Sequence, residues 1–177
     1  MIINLRAILH GHQRFDFILE PDWWEGNEEN GQIMGLAAPL KVHMNISRLG
    51  ERHLLEGSLS GVVLVWCARC LESYHRDLAT EFRLFLTSLP ANTDQNELEL
   101  SEDDMWVDFV AGDEVNLLEI VREQIYLSLP MKTLCREDCF GLCPRCGTNL
   151  NKKKCSCERE NGDQSFSKLK NLKVNGS

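Results

Sequence analysis

Six of the chain's eight cysteines lie within the 23 residues from Cys135 to Cys157, which read C-R-E-D-C-F-G-L-C-P-R-C-G-T-N-L-N-K-K-K-C-S-C. The other two, Cys67 and Cys70, form a separate C-x2-C far upstream. A thiolate is a soft, anionic ligand, and Zn2+ takes four such donors at about 2.3 Å in a tetrahedron. Cys143-Pro144-Arg145-Cys146-Gly147 has the form of a zinc knuckle. Two intervening residues let a tight turn aim both sulfurs at one ion, and Gly147 can take the positive φ such a turn requires. Cysteines this dense point to metal ligation over a set of buried thiols.

With Cys143 and Cys146 as one pair, three partners compete for the remaining positions of a four-coordinate site. Cys155 and Cys157 follow after a short loop. Cys135 and Cys139 precede the pair. Cys67 and Cys70 would bring two C-x2-C turns together across the fold, as in a zinc ribbon. Eight thiols can also fill two sites. Every option closes the metal with sulfur, which favours a structural zinc over a catalytic one with an open position. Such a metal would tie an irregular tail to the rest of the chain and contribute to its folding.

C-x2-C is also the spacing of dithiol oxidoreductases, whose nucleophilic cysteine opens a helix after a parallel strand. Here one pair falls in a hairpin turn and the other in a Gly/Pro-containing loop, so thiol redox work stands as the weaker reading. No nucleophile elbow, phosphate loop or H-E-x-x-H is present, and paired acids such as Asp103-Asp104 sit in a polar stretch. The expectation is a protein that is not an enzyme and has no small-molecule substrate. His10 and His12, one residue apart at a turn, could ligate a metal; solvated turn histidines are the commoner case.

The elements that must position these cysteines are mostly strands. Leu40 to Ser47 alternates without a miss, with Leu40, Val42, Met44 and Ile46 inward. The chain returns through His53 to Trp66, where Val62-Val63-Leu64-Val65-Trp66 is apolar on both faces, as in a central strand. After the Cys67–Cys70 turn, Leu78, Thr80, Phe82, Leu84 and Leu86 alternate in another strand. The first C-x2-C therefore sits at the tip of a hairpin in an antiparallel meander. Ile2 to Leu9, Phe15 to Leu19 and Met105 to Val110 read as further short strands. Trp23 and Trp24 are expected to pin an otherwise polar loop to the body.

One helix is expected over about 116–128. Asn116 is its N-cap, Glu119 answers at the third position, and Val115 with Ile120 forms a hydrophobic staple. Leu117, Leu118, Val121 and Ile125 make its apolar stripe, and Pro130 ends it. The fold class is thus α+β: mainly an antiparallel sheet or partly open barrel, one principal helix, and a cysteine-rich, zinc-knuckle-like C-terminal region. The chain is expected to divide into a β-rich body, 1–130, and a cysteine-rich, zinc-binding tail, 131–177, packed on it. An acidic loop over about 90–104 is too polar to bury.

At 177 residues with 43% hydrophobic content the chain suits one ordinary domain with a small appendage. No apolar run is long enough to span a membrane. No secretory signal is visible, so eight cysteines imply a reducing, cytoplasmic setting and no disulfide framework. The net charge of −8 argues against a uniformly basic nucleic-acid binder, but the charge is uneven. Residues 92–123 hold eleven acids against Arg122 alone, while 131–177 hold ten bases against five acids. Phe166, Leu169 and Leu172 suggest a short closing helix with a basic outer face.

The succession Cys67-x2-Cys70-Leu71-Glu72, then Leu129-Pro130, then C-x-E-D-C-x-G-L-C-P-x-C-G-x-N-L-N and C-x-C, resembles the YceD-like family of large ribosomal RNA subunit accumulation proteins. The closing Leu169-Lys170-Asn171-Leu172 is similar to that family's end, and the likeness runs from about Ile33 to Val174. The resemblance implies a non-enzymatic role in 23S rRNA accumulation and large-subunit biogenesis. Two mechanisms fit the residues. A zinc-pinned tail carrying Arg145, Lys152, Lys153, Lys154, Lys168, Lys170 and Lys173 would contact RNA phosphates. Alternatively, the acidic stretch would bind a basic ribosomal or assembly protein. A zinc-ribbon regulator or thiol redox protein unrelated to ribosomes is the different-class alternative.

Overall fold

A computed structural model of the chain describes residues 1–8, 11–24, 31–50, 52–88, 107–110 and 112–157. Its frame is the meander β4 (Leu40–Leu49), β5 (Arg52–Trp66) and β6 (Ser73–Ser88), all antiparallel. β2 (His12–Leu19) extends the sheet beyond β4, with Phe15 opposite Met44 and Phe17 opposite Val42. On the far side β7 (Val107–Val110) lies parallel to the end of β6. The order β2-β4-β5-β6-β7 is an open path among the described residues. Among the described residues the sheet is open, in keeping with the mainly antiparallel sheet expected.

The alternation expected in β4 is present. Leu40, Val42, Met44 and Ile46 are buried, while Lys41 and His43 face solvent. Leu55 and Leu59 lie opposite Ile46 and Val42, and further along β5 the buried Val63 and Val65 continue the same apolar face. The other face is polar and forms an open groove of about 740 Å3, where His43, Asp16 and Arg14 join in a row of 2.6 Å contacts. One wet and one dry face is the usual state of an antiparallel sheet. Gly57 serves the dry face. A Cβ there would fall 2.4 Å from Cζ of Phe82, whose ring occupies that space beside its cross-strand partner.

The helix α1 (Leu117–Ser128) covers the dry face with Leu117, Val121 and Ile125 fully buried. Asn116 caps it by accepting from the Leu118 N–H at 3.2 Å. Its side-chain amide donates to Glu119 at 3.0 Å, so Glu119 meets the cap side chain where a capping box would use the cap backbone. Trp24 is buried 5.8 Å from the Tyr126 ring, and the Arg122 guanidinium lies over both Trp23 and Trp24. The tryptophan pair is packing, as expected. No helix among the described residues is long and apolar enough to cross a membrane.

The strand reading needs correction in two places. Among the described residues of Ile2 to Leu9 the strand covers only β1 (Ile2–Asn4); Asn4 then accepts from the Arg6 N–H and starts a 3-10 turn, Leu5–Ala7. β1 pairs with β8 (Glu114–Asn116), just ahead of α1, in a separate ribbon. The short β3 (Ile33–Leu36), absent from the sequence reading, pairs with Val63 to Val65 of β5. Pro39 interrupts the run from β3 to β4, since a proline supplies no ladder donor. His10, the acidic loop over 90–104 and the closing basic segment lie outside the described residues.

β5 and β6 run on well past the part that faces β4. The distal strands, Gly61 to Trp66 and Ser73 to Leu78, have only β3 beside them, and they carry the first C-x2-C at their tip. That projection is what the tail meets.

Candidate metal centres

The Cys67–Cys70 and Cys143–Cys146 turns have the same backbone. In each, the residue after the second cysteine donates to the first cysteine's carbonyl at 2.9 Å (Leu71 to Cys67, Gly147 to Cys143). In each, the first cysteine's N–H donates to the carbonyl five residues on (Cys67 to Glu72, 2.9 Å; Cys143 to Thr148, 2.8 Å). The turn requires positive φ at the residue after the second cysteine: 69° at Gly147, as expected, and 57° at Leu71. A leucine there is strained by about 1–2 kcal/mol, and its side chain is 60% exposed, so little burial offsets the strain. Leu71→Gly should therefore stabilise the protein. After subtracting roughly 0.5–1 kcal/mol for glycine's looser unfolded state, a rise in Tm of about 1–4 °C is expected. A fall in Tm would mean that the Leu71 side chain packs.

The eight thiols form two sets of four. Cys67 and Cys70 meet Cys135 and Cys139; Cys143 and Cys146 meet Cys155 and Cys157; the sulfurs of each set lie within 4.8 Å of one another. The two C-x2-C turns thus do not share a site, and the ribbon arrangement is set aside. In the first set, Cys67 Sγ lies 3.8 Å from Cys139 Sγ, and Cys70 Sγ 3.8 Å from Cys135 Sγ. A tetrahedron with metal–sulfur bonds of about 2.3 Å has edges of about 3.8 Å. Each set can hold a metal ion.

The first set joins the hairpin tip to the tail, and the surrounding bonds make the same junction. Thr133 is fully buried; its hydroxyl donates to the Trp66 carbonyl at 2.6 Å and accepts from Gln32 at 2.8 Å, while its carbonyl accepts from the Ala68 N–H. Arg69 donates to the carbonyls of Cys139 (2.9 Å) and Glu137 (3.1 Å), and its own carbonyl accepts from the Leu142 N–H. The second set is closed by a small loop. Leu142 and Asn149 form an antiparallel bridge, and Leu150 N–H donates to the Gly141 carbonyl.

Asn151 links the two. Its amide donates to Cys139 Sγ at 3.3 Å, and its carbonyl oxygen accepts from the Phe140 N–H (2.9 Å) and Arg136 (2.7 Å). A residue of the second loop thereby orients a ligand of the first. Such partners around a sulfur set its position and basicity.

Within each set the thiols are driven apart in acidity. Burial pushes Cys67 up, but N–H donors from Cys135, Cys70 and Arg69 outweigh it and hold the thiol at about 6. Cys143 is held at about 6 by the N–H groups of Cys146 and Arg145. Cys135 is pushed up to about 12, first by burial and then by its neighbouring sulfurs, and Cys157 to about 12, first through its contact with Cys146. Cys146 is also lowered, first by the Thr148 hydroxyl. Thiolates therefore form readily at Cys67 in the first set and at Cys143 and Cys146 in the second, and their negative charge resists further ionisation at Cys135 and Cys157. A bound cation removes that resistance.

Residues 55–173 match the family model described as Large ribosomal RNA subunit accumulation protein YceD. The chain belongs to the YceD family. Among its relatives, Large ribosomal RNA subunit accumulation protein YCED homolog 1, chloroplastic, of Arabidopsis thaliana is 30% identical over 156 residues, covering 76% of this chain and 49% of the relative. The protein of the same name from Zea mays is 27% identical over 157 residues, covering 76% and 53%. An uncharacterised protein of Mycobacterium bovis is 31% identical over 113 residues, covering 64% and 52%. The chain spans about half the length of these relatives. No solved structure matches it.

In this YceD-family chain the described basic residues differ in their surroundings. Lys152 is paired with Glu72 of the hairpin, which lowers the Glu72 carboxyl and raises the Lys152 ammonium. Lys153 and Lys154 face solvent, as does Arg145 within the second turn. Lys168, Lys170 and Lys173 lie outside the described residues. The sequence reading overlooked Arg69, Thr133 and Asn151. Only Asn151 left a trace, as one of the polar residues packed between cysteines in Thr148-Asn149-Leu150-Asn151.

Proposed function

We propose that the protein is a non-enzymatic factor in the accumulation of 23S rRNA and large ribosomal subunits, built around two structural zinc ions. The gathering of eight cysteines into two four-sulfur sets carries the metal part of this reading. Four thiolates with no oxygen or nitrogen donor suit Zn2+, and a sulfur-closed site leaves no position for a substrate. The first ion would hold the tail, 131–177, against the body, 1–130; the second would close the 143–157 loop. The names of the plant relatives, large ribosomal RNA subunit accumulation proteins, support the ribosomal part.

Direct contact between this zinc-pinned surface and rRNA is the mechanism we favour. From Phe140 to Cys157 the chain holds Arg145, Lys152, Lys153 and Lys154 and no Asp or Glu. Because Lys152 is engaged with Glu72, the test uses the other two. Lys153→Glu with Lys154→Glu should weaken binding of the full chain to 23S rRNA fragments. The dependence of log affinity on log salt should flatten by about 0.7 per lost phosphate contact on single strands. Unchanged affinity and salt dependence would exclude these lysines and favour a basic protein partner on the acidic stretch.

A further inference from the structure

Phe140 is 67% exposed, yet its backbone is fixed on every side. Its own N–H donates to Asn151 at 2.9 Å, the preceding Cys139 carbonyl accepts from Arg69 at 2.9 Å, and the following Gly141 carbonyl accepts from Leu150 at 2.9 Å. The fold thus holds a mostly exposed aromatic ring on a rigid support and gains little burial from it. Beside the ring is a groove of about 390 Å3 lined by Phe140, Leu150, Lys154, Cys155 and Cys157. The groove offers an aromatic face, an aliphatic side chain, an ammonium and two thiols, and among the described residues no carboxylate lines it.

We infer that this groove is a stacking site for one unpaired base of an RNA strand, with Phe140 as the platform and Lys153 and Lys154 on the flanking phosphates. Base faces stack on aromatic rings whatever their sequence, and a neighbouring cation neutralises the strand that carries them. A duplex hides its base faces, so only its phosphates could engage this surface. Charge complementarity favours RNA over a protein side chain: the run from Phe140 to Cys157 carries four cations, of which only Lys152 is engaged by Glu72 of the hairpin in the ion pair described above, and no anionic side chain apart from the thiolates themselves. The groove's role presupposes the RNA binding proposed above, and it adds where a base sits and which strand form is preferred.

The test uses the full chain in its metal-replete form, with a single-stranded oligoribonucleotide and its duplex as probes in fluorescence anisotropy. Phe140→Ala and Phe140→Leu should each weaken single-strand binding by about fivefold to a hundredfold, the effect of removing one base–aromatic stack. Duplex binding, the salt slope and metal content should stay unchanged. Phe140→Trp should retain single-strand binding. Because leucine keeps the apolar bulk, the contrast between Leu and Trp separates stacking from packing even if the alanine variant is poorly folded. Equal single-strand binding by the Leu and Trp variants would overturn the stacking site while leaving RNA binding intact. If instead the unaltered chain bound neither probe, the RNA reading itself would fail. Loss of a co-purifying ribosomal protein from Phe140→Leu, with RNA binding intact, would reassign the groove to a protein partner.

Discussion

Protein purified without added metal should contain two zinc ions per chain, and Cys70→Ser and Cys146→Ser should each leave one. The two sets share no ligand, since Cys67, Cys70, Cys135 and Cys139 form one and Cys143, Cys146, Cys155 and Cys157 the other. Zinc binding in small cysteine-rich units contributes roughly 10–16 kcal/mol of apparent folding free energy, comparable with a whole domain's net stability of about 5–15 kcal/mol. Loss of either ion should therefore unfold whatever it closes. The consequences differ by place. Without the first ion, the Cys135–Cys139 segment loses its covalent-like tie to the hairpin tip, and protease should reach the chain from about residue 131 onward. Without the second, cleavage should be confined to the 143–157 loop. The core of the body contains neither set and should survive both changes. Elemental analysis and limited proteolysis together check this. Loss of all zinc with either change would indicate one shared ion, and an absence of metal in the unaltered protein would return thiol redox chemistry to the front.

How much of this could be read in the sequence depends on how local the determining contacts are. The alternation of Leu40, Val42, Met44 and Ile46 is set by one dry face, and so the strand and its inward residues are legible. Asn116 and Glu119 lie three residues apart, and the helix start is legible for the same reason. β1 is different. Its partner β8 is more than a hundred residues away, and three residues with Ile2 exposed carry no periodic signal. β3 has only four residues, and its register shifts between Ile33 and Gly35. The cysteines show both cases. Their identity as candidate ligands follows from type and spacing, and the position of Cys67 and Cys70 at a hairpin tip follows from the strands around them. Their partition does not. Both C-x2-C turns have the same internal geometry, and what sends Cys67 and Cys70 to Cys135 and Cys139 is the docking of the tail through Arg69, Thr133 and Gly141. Those are single, unpatterned residues acting across roughly seventy positions.

Gly141→Ala should be strongly destabilising, because it strikes that docking directly. Gly141 has φ +73°, and a Cβ built there would lie 2.9 Å from the Arg69 carbonyl oxygen and 3.3 Å from Arg69 Cβ. The oxygen cannot retreat freely, since it accepts the Leu142 N–H at 3.1 Å and belongs to the same turn that aims Cys67 and Cys70. Left-handed backbone without glycine costs about 1–2 kcal/mol, and overpacking against a fixed neighbour adds about 1–3 kcal/mol. Gly147→Ala supplies the control: φ is +69°, but nothing lies within 4 Å of the new Cβ, so only the backbone strain applies. Gly141→Ala should lower the thermal midpoint by clearly more than Gly147→Ala. It should also speed chelator extraction of the ion held by Cys67, Cys70, Cys135 and Cys139, because Gly141 lies two residues after Cys139 and against the Arg69 backbone. Gly147→Ala should instead loosen the ion held by Cys143 and Cys146. Equal midpoints, or a Gly141→Ala protein that releases only the second ion, would show that the close approach of Gly141 to Arg69 does not hold the tail on the hairpin.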